Sequence, residues 1–454
     1  MLDFRKFLHP IEQSVTVPAV PSTDLDGNDS AIAPSLGFAC SDPELRDGFA
    51  WAVPEALARV RTRDPGAMPS YWAGLTDRPL FYSRDVAHQV LGGHLLGLDA
   101  ENAAMLRRFA ASATEPRGFY PLWAFGFDGR IAEIDYRDDT DFVRETPAAF
   151  EIAEKSIEQY LWTGDERYVS DPVFLAYYDN LVRRFVPLHD ILGTGVAGER
   201  DTRDIFAGSP TYNEAKWAPG MQVAGDGIAS QWAAMTAIAS AVPDTDLAGQ
   251  ARASADRLRA HFEAEWWDEE RGQYLTGMSG TRRYTEWAFE PSWFPAVKSM
   301  MSPGARAEAQ LAYLDRSLGQ RRPENIEAFT YLPEAYLAYG HDATAVRWIK
   351  HLIASGSAYP EVPFTVVSHL CVGLTGARPG HDGSLETRSH LPDGWLEVTD
   401  LPLRSHLVSI RHDGAEQSTL TVRRGDTPLR WTARVGGQTL VRSVEPGEAV
   451  TVRA

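Results

Sequence analysis

The chain has 454 residues, 44% hydrophobic and 23% charged, a balance that excludes disorder and a coiled coil and allows a large core. Lys and Arg number 44 against 62 Asp and Glu, a net charge of −18, which argues against nucleic acid and anionic membranes, since both bind clustered positive charge. No apolar run reaches the roughly 18 residues of a membrane span, the N-terminus lacks a signal peptide's apolar stretch, and Cys40 and Cys371 set neither a metal spacing nor a disulfide framework; a cytoplasmic protein is expected. The one surplus is aromatic: 13 Trp beside 16 Tyr and 19 Phe.

Residues 1–41 carry Pro, Ser, Asp and Gly clusters with little periodicity and read as an extended arm with one or two strands. From 42 to 383 helical periodicity dominates. Ser41-Asp42-Pro43-Glu44 is a helix start ahead of Phe49, Val53, Leu57 and Val60. Further helices are predicted at 83–97, 99–114, 147–163, 171–187, 227–242, 246–266, 292–301, 304–319, 324–340, 342–355 and 363–374, about twelve in all and paired. Joints such as Gly97-Leu98-Asp99, Thr163-Gly164-Asp165 and Gly340-His341-Asp342 put a Gly at a helix end and an Asp at the next start. The connections 115–146, 188–226 and 267–291 are long and aromatic, and long loops in a compact domain are usually functional. Short joints on one face and long loops on the other give a toroid of helix hairpins with a one-sided pocket. From 384 to 454, alternation of period two broken by Asp-Gly, Gly-Asp and Gly-Gly turns predicts a small antiparallel β module.

The stretch Thr146-Pro147, Phe150 and Tyr160-Leu161-Trp162-Thr163-Gly164-Asp165 resembles one found in the six-hairpin glycoside hydrolases, which include debranching-enzyme-type, trehalase-like and mannosylglycerate-hydrolase-like enzymes. In chain order, Phe81-Tyr82-Ser83-Arg84-Asp85 is similar to their Arg-Asp motif at an inner-helix start. Phe262, Trp266, Trp267, Gly272 and Tyr274 resemble a helix-to-loop stretch, and Ala358-Tyr359-Pro360-Glu361 resembles a late Pro-Glu loop. The resemblance spans about 80–376 and implies a mainly α fold, an (α/α)6 barrel followed by the β module. It also implies sugar chemistry, on a scaffold that epimerases, phosphorylases and polysaccharide lyases share.

Glycoside hydrolysis uses two carboxyl groups, one protonating the leaving oxygen and one activating water or attacking directly. Glu361 lies between Pro360 and Pro363, where a fixed, non-helical backbone would hold it in place, and the resemblance makes it the general base. The competing reading is a carboxylate opening the 363–374 helix. The acid is open among Asp226, Glu214 and the pair Glu286 and Glu290. Asp226 resembles the acid of a Gly-x-Asp-x-Ser-x-x-Trp motif, with one extra residue before Ser230, although a helix N-terminus lowers a carboxyl pKa, the wrong direction for an acid. Glu214 sits on an aromatic loop where desolvation would raise its pKa and Lys216 would oppose.

Arg84, Asp85, His88 and Gln89 crowd one helix end, which suits sugar hydroxyls better than a core. Arg144 and Glu145 precede the Thr146-Pro147 helix start where the resemblance puts a substrate-binding acid, more often Asp. Trp123, Trp217, Trp232, Trp287 and Trp293 lie in or beside the long loops with Tyr212, and an indole matches the apolar face of a pyranose; any one of them could equally cover the core. No histidine spacing suits a metal and no phosphate-binding glycine loop is present, so no cofactor is implied. The reading is a glycoside hydrolase acting on a small sugar or oligosaccharide, inverting by resemblance, with Glu361 activating water and Asp226 or Glu214 as acid. The alternatives are a lyase or epimerase using His88, Tyr212, Arg144 and His369, and a non-catalytic sugar-binding protein. A carbohydrate is the expected partner, and a homo-oligomer is left open.

Overall fold

The computed structural model describes residues 36–200, 204–212, 220–391 and 393–454. The chain divides into Met1–Ala33, outside the described residues, and the compact unit Pro34–Ala454. Among the described residues of this unit, twelve α-helices have six residues or more: α1 (Pro43–Leu57), α2 (Ser83–Leu95), α3 (Asp99–Ser112), α4 (Thr146–Thr163), α5 (Pro172–Asn180), α6 (Gly225–Ala241), α7 (Thr245–Glu265), α8 (Glu290–Val297), α9 (Ala305–Gln320), α10 (Leu332–Leu337), α11 (Asp342–Ser355) and α12 (Glu361–Ser368). None is long and apolar enough to cross a membrane.

Burial sorts these helices into two kinds. All eight residues of α12, seven of eight in α8 and eleven of thirteen in α2 are buried, whereas α7 buries five of twenty-one and α1 four of fifteen. A helix apolar on one stripe lies at the outside, and one buried all round lies inside. The inner, even-numbered helices pack in succession: α2 on α4, α4 on α6, α6 on α8 and α8 on α10. From α10 the packing passes to the π-helical continuation of α12 (His369–Gly373), and α12 returns to α2. Outside them, α3 packs on α2 and α4, α7 on α6, α9 on α8, α11 on α10 and α12, and α1 on α11 and α12. The Gly joints behave as read: Gly97, Gly164 and Gly340 take φ of 77°, 68° and 75°, the left-handed turn that glycine adopts most easily.

Prolines account for three departures from the periodicity. The 171–187 helix passes through a π-helical stretch, Leu181–Phe185, just ahead of Pro187, which has no N–H to continue the ladder. The 324–340 segment splits into a 3₁₀ turn, Ile326–Phe329, and α10, which restarts with Pro333 in its first turn. The 363–374 helix begins at Glu361, so the expectation of a non-helical backbone there is wrong. Pro360 takes helical angles as the cap, and Pro363 falls in the first turn, where a missing N–H costs nothing.

Among the described residues, eight strands of four residues or more finish the unit: β1 (Gly37–Cys40), β2 (Leu385–Arg388), β3 (Trp395–Leu403), β4 (His406–Asp413), β5 (Gln417–Arg424), β6 (Leu429–Val435), β7 (Gln438–Val444) and β8 (Ala449–Arg453). The two-residue strand Arg378–Pro379 lies beside β2. One sheet has the order β1-β3-β4-β5-β8 and is antiparallel throughout. In the other, β2 lies parallel to β6 and β7 follows antiparallel. Residues 37–40, the end of the stretch read as an arm, form an edge strand with Phe38 opposite Val398.

This β layer binds the C-terminal ends of inner helices. His94 of α2 meets the Pro402 carbonyl at 3.2 Å, the Arg404 amide donates to the Trp162 carbonyl of α4 at 2.6 Å, and His412 meets the Thr375 carbonyl at 3.2 Å. The N-terminal ends are left for the long connections.

Two glycines set the spacing between inner helices. A Cβ on Gly92 of α2 would stand 2.3 Å from the Phe364 carbonyl oxygen of α12, and one on Gly225 of α6 would stand 2.0 Å from the Pro291 oxygen of α8. Gly92→Ala is therefore expected to lower stability by about 1–3 kcal/mol through forced separation of α2 and α12. Gly249→Ala on α7, whose Cβ would meet nothing within 4 Å, should leave stability unchanged or raise it by up to about 1 kcal/mol. Urea unfolding of both variants checks the contrast.

Candidate active site

Every inner helix carries a carboxylate at or beside its start: Asp85 is third in α2, Glu145 precedes α4, Asp226 is second in α6, Glu290 opens α8, Glu334 is third in α10 and Glu361 opens α12. Glu327 adds another from the 3₁₀ turn ahead of α10. Helix N-termini present unpaired N–H groups and the positive end of the dipole, so acids are favoured there. Contacts join these starts into two clusters bridged by Tyr212.

The first cluster surrounds Glu361, which is fully buried. Its Oε1 lies 2.6 Å from both the Thr330 hydroxyl, which also stands 2.5 Å from the Glu327 carbonyl, and His88 Nδ1, while Oε2 has no hydrogen-bond partner. Gly92 accounts for this contact: by letting α2 sit against the α12 backbone, it brings His88, one turn earlier, to the α12 start. His88 Nε2 lies 3.0 Å from Glu334 Oε1, and the ring stacks on Tyr331 at 3.9 Å. Arg84 pairs with Glu327 and donates to the Tyr212 carbonyl at 3.0 Å. The Tyr359 hydroxyl lies 2.8 Å from both Asp85 Oδ1 and Glu327 Oε2. Burial and the charge of Glu361 push Asp85 up to about 7, against Arg84. Burial disfavours a charged His88, yet Glu334 and Glu361 raise it to about 9.

The second cluster surrounds Asp226, also fully buried. Its Oδ2 accepts from the Tyr212 amide at 2.7 Å and the Thr211 hydroxyl at 2.8 Å, and its Oδ1 from the Gly227 amide at 3.1 Å. The close approach at Gly225 sets α6 against the start of α8, where Glu290 stands near enough to act on Asp226. Burial pushes Asp226 up to about 7, with Glu290 adding and the Tyr212 and Thr211 donors opposing. The helix start therefore loses to desolvation, and Asp226 shifts in the direction an acid needs. Tyr212 ties the clusters together, because its carbonyl takes Arg84, its amide serves Asp226 and its hydroxyl donates to Glu151 at 2.5 Å. Glu151 in turn pairs with Lys298.

The remaining sequence candidates divide. Trp123 donates to Glu145 Oε2 at 2.8 Å, beside the first cluster. Gln89 is fully buried and donates to the Trp72 carbonyl at 3.3 Å. Arg144 donates to the Phe206 and Ala207 carbonyls at 3.0 and 2.7 Å and pairs with Glu199 at 3.4 Å, so it anchors its connection. Glu286 is exposed and pairs with Arg282. Trp293 is 0% exposed and belongs to the core under Trp287 and Phe289, Trp287 donates to the Arg321 carbonyl at 3.0 Å, and Trp232 lies under Arg259. Glu214 and Trp217 lie outside the described residues.

Glu327, Thr330, Tyr331, Glu334, Tyr359 and Glu151 were not read as site residues. The signal for the first four was a polar set at helical spacing inside the apolar run 326–337. Oxygens of Asp85, Glu327 and Glu361 lie within 4.8 Å of one another, as around a cation, but Arg84 and His88 already bring positive groups to these three acids.

No family model matches the chain, and no curated protein matches it. Solved structures do. An α-L-rhamnosidase from Dictyoglumus thermophilum matches at a TM-score of 0.61 and 11% identity over 93% of this chain and 50% of its own. A GH78-family rhamnosidase of Bacillus sp. GL1 matches at 0.58 and 14% over 86% and 41%. A kojibiose phosphorylase from the human microbiome matches at 0.57 and 10% over 92% and 63%. The chain thus spans between two fifths and two thirds of these proteins, and what it shares with them is the fold.

The buried acid makes a stability prediction. Asp226 holds its proton up to about 7 in the folded protein but ionises near 3.9 when unfolded, so its contribution to stability, fully present below about pH 4, is lost as the pH rises through 7. Asp226→Asn cannot ionise. It should exceed wild type in stability at pH 8 by on the order of a few kcal/mol, and the gain should vanish by about pH 4. Denaturant unfolding across that range measures it.

Proposed function

We propose that the protein is a glycoside hydrolase that cleaves the glycosidic bond of a small sugar or oligosaccharide with inversion. In this reading the circuit of inner helices is an (α/α)6 barrel, residues 42–383 are its catalytic domain, and 384–454 are a β appendage that receives strand β1. The observation that carries the reading is the pair of unequal carboxyls at the helix starts. Asp226 keeps its proton to about 7, as a general acid at neutral pH must. Glu361 has one oxygen fixed by donors and the other unpartnered, the disposition of a base that takes a proton from water. The acid gives its proton to the leaving oxygen, the base accepts one as water attacks the anomeric carbon, and both are reset by solvent. Arg84, Asp85, Trp123 and Glu145 are the groups placed to bind hydroxyls.

The lyase or epimerase reading requires His88, Tyr212, Arg144 and His369 to converge on a substrate. Arg144 is committed to the Phe206 and Ala207 carbonyls, and His369 sits 2.8 Å from the Thr330 carbonyl, which leaves that reading without support. A likeness to a kojibiose phosphorylase raises phosphorolysis instead, for which phosphate would replace water and a base at Glu361 would be unnecessary.

A panel of α- and β-linked disaccharides and aryl glycosides, rhamnosides included, tests the proposal in buffer with and without phosphate. Phosphate-independent cleavage is expected, with the first-formed anomer inverted by proton NMR. Glu361→Gln and Asp226→Asn should each lose at least about 100-fold in kcat; near-normal rates in both would sink the assignment.

A further inference from the structure

We propose that Glu334 is a positioning residue that acts through His88 to keep Glu361 ionised, with the Oε2 atom of Glu361 left without a hydrogen-bond partner; this rests on reading Glu361 as the base. Glu361 is fully buried, so holding it as a carboxylate requires a neighbouring cation. His88 is placed to be one. Its Nδ1 lies 2.6 Å from Glu361 Oε1 and its Nε2 3.0 Å from Glu334 Oε1, and a ring that faces carboxylates on both nitrogens donates to both only as imidazolium. Tyr331, parallel to the ring at 3.9 Å and 5°, fixes its plane and offers a π face to the charge.

The charged and titratable groups around the ring are few among the described residues. Arg84 and Asp85 lie on its own helix, engaged by Glu327 and Tyr359. Glu334 comes from α10 and Tyr331 from the residue that caps it, and Glu361 and His369 come from α12 and its continuation. Lys155 of α4 acts on Glu334. His369, pushed down to about 4 by burial, is neutral and donates to the Thr330 carbonyl, which steadies the residue whose hydroxyl also serves Glu361 Oε1.

The Glu334 side chain is 34% exposed and lines a cavity of about 330 Å³ among Lys155, Lys298 and Arg378, on the side of the helices facing the β layer. Glu334 thus reaches that cavity, whereas Glu361 is fully enclosed. The Glu334 carboxylate holds the ring charged, and the ring presents that charge to Glu361. With His88 and Thr330 at Oε1, Oε2 is the oxygen left to accept the proton.

Glu334→Gln keeps the size and polarity of the side chain and removes its charge. With a substrate that the glycoside panel yields, kcat should fall about 10- to 100-fold while KM stays within about twofold, and the acid limb of the pH–rate profile should move up by about one unit. His88→Gln should have a similar effect, and the double variant should be no worse than His88→Gln alone, since residues acting in series are not additive. In nitrogen-15 histidine NMR of wild type, the His88 ring should remain doubly protonated at pH 8 and titrate at least about one unit lower in Glu334→Gln. Unchanged kcat and pH profile in Glu334→Gln, additive losses, or a neutral His88 ring in wild type at pH 7 would each overturn the proposal. If Glu334→Gln does not fold, the wild-type spectrum decides. An active Glu361→Gln overturns the base assignment, whereas an inactive Glu361→Gln beside a normal Glu334→Gln overturns only the role of Glu334.

Discussion

Negative charge gathered at one end of a helical core is the constraint on which the rest of this structure depends. Asp85, Glu145, Asp226, Glu327 and Glu361 are each less than 9% exposed and belong to connected clusters. Buried carboxylates in such proximity are unfavourable unless each is neutralised or hydrogen-bonded. The protein uses every available means. Helix starts supply positive ends, Arg84 and His88 supply cations, Thr330 and Tyr359 supply hydroxyls, and Asp85 and Asp226 hold protons to about 7. The formal charge of the site thus overstates its actual charge wherever Asp85 and Asp226 hold their protons.

The opposite end has a different task. The β layer fastens to the C-terminal ends of α2 and α4 and to the segment after α12 through His94, Arg404 and His412. There the negative ends of helix dipoles lie beside Lys155 and Lys298, whose ammonium groups are matched by Glu158, Glu151 and Glu154. Two polar regions of one helix set are therefore separated by the apolar middle of the inner helices, with the His88 ring and the Tyr212–Glu151–Lys298 chain as polar links between them.

The helices and the β module were legible because their signals are local: a repeat of three to four, a Gly-Asp joint, an alternation of two. The helix starts that carry the acids were legible as well, including Arg84, Asp85, Asp226 and Glu361. What the sequence hid was partnership. Nothing near Glu361 in the chain indicates that residues 88 and 330 would meet it, or that 334 would meet His88, since these contacts depend on how separate elements pack. Proline misled at Glu361, because a residue that ends a helix from within also begins one. The field of a helix start misled at Asp226, where complete burial outweighs it. The aromatic surplus also divided differently from its reading as a pocket wall. Trp162, Trp266, Trp293 and Trp431 are fully buried, and only a depth coordinate, absent from a linear sequence, separates them from Trp123.

The contacts of Gly92 with Phe364 and of Gly225 with Pro291 are made by backbone atoms alone. The distance between neighbouring helix starts is consequently independent of the side chains those starts display. An exchange of Asp for Glu, or of either for an amide, alters the reach or charge of a group without moving its support. In evolutionary terms the frame and its chemistry can vary separately: a lineage can change which acids it presents while two glycines hold the spacing, and drift at those glycines would disturb all the chemistry at once.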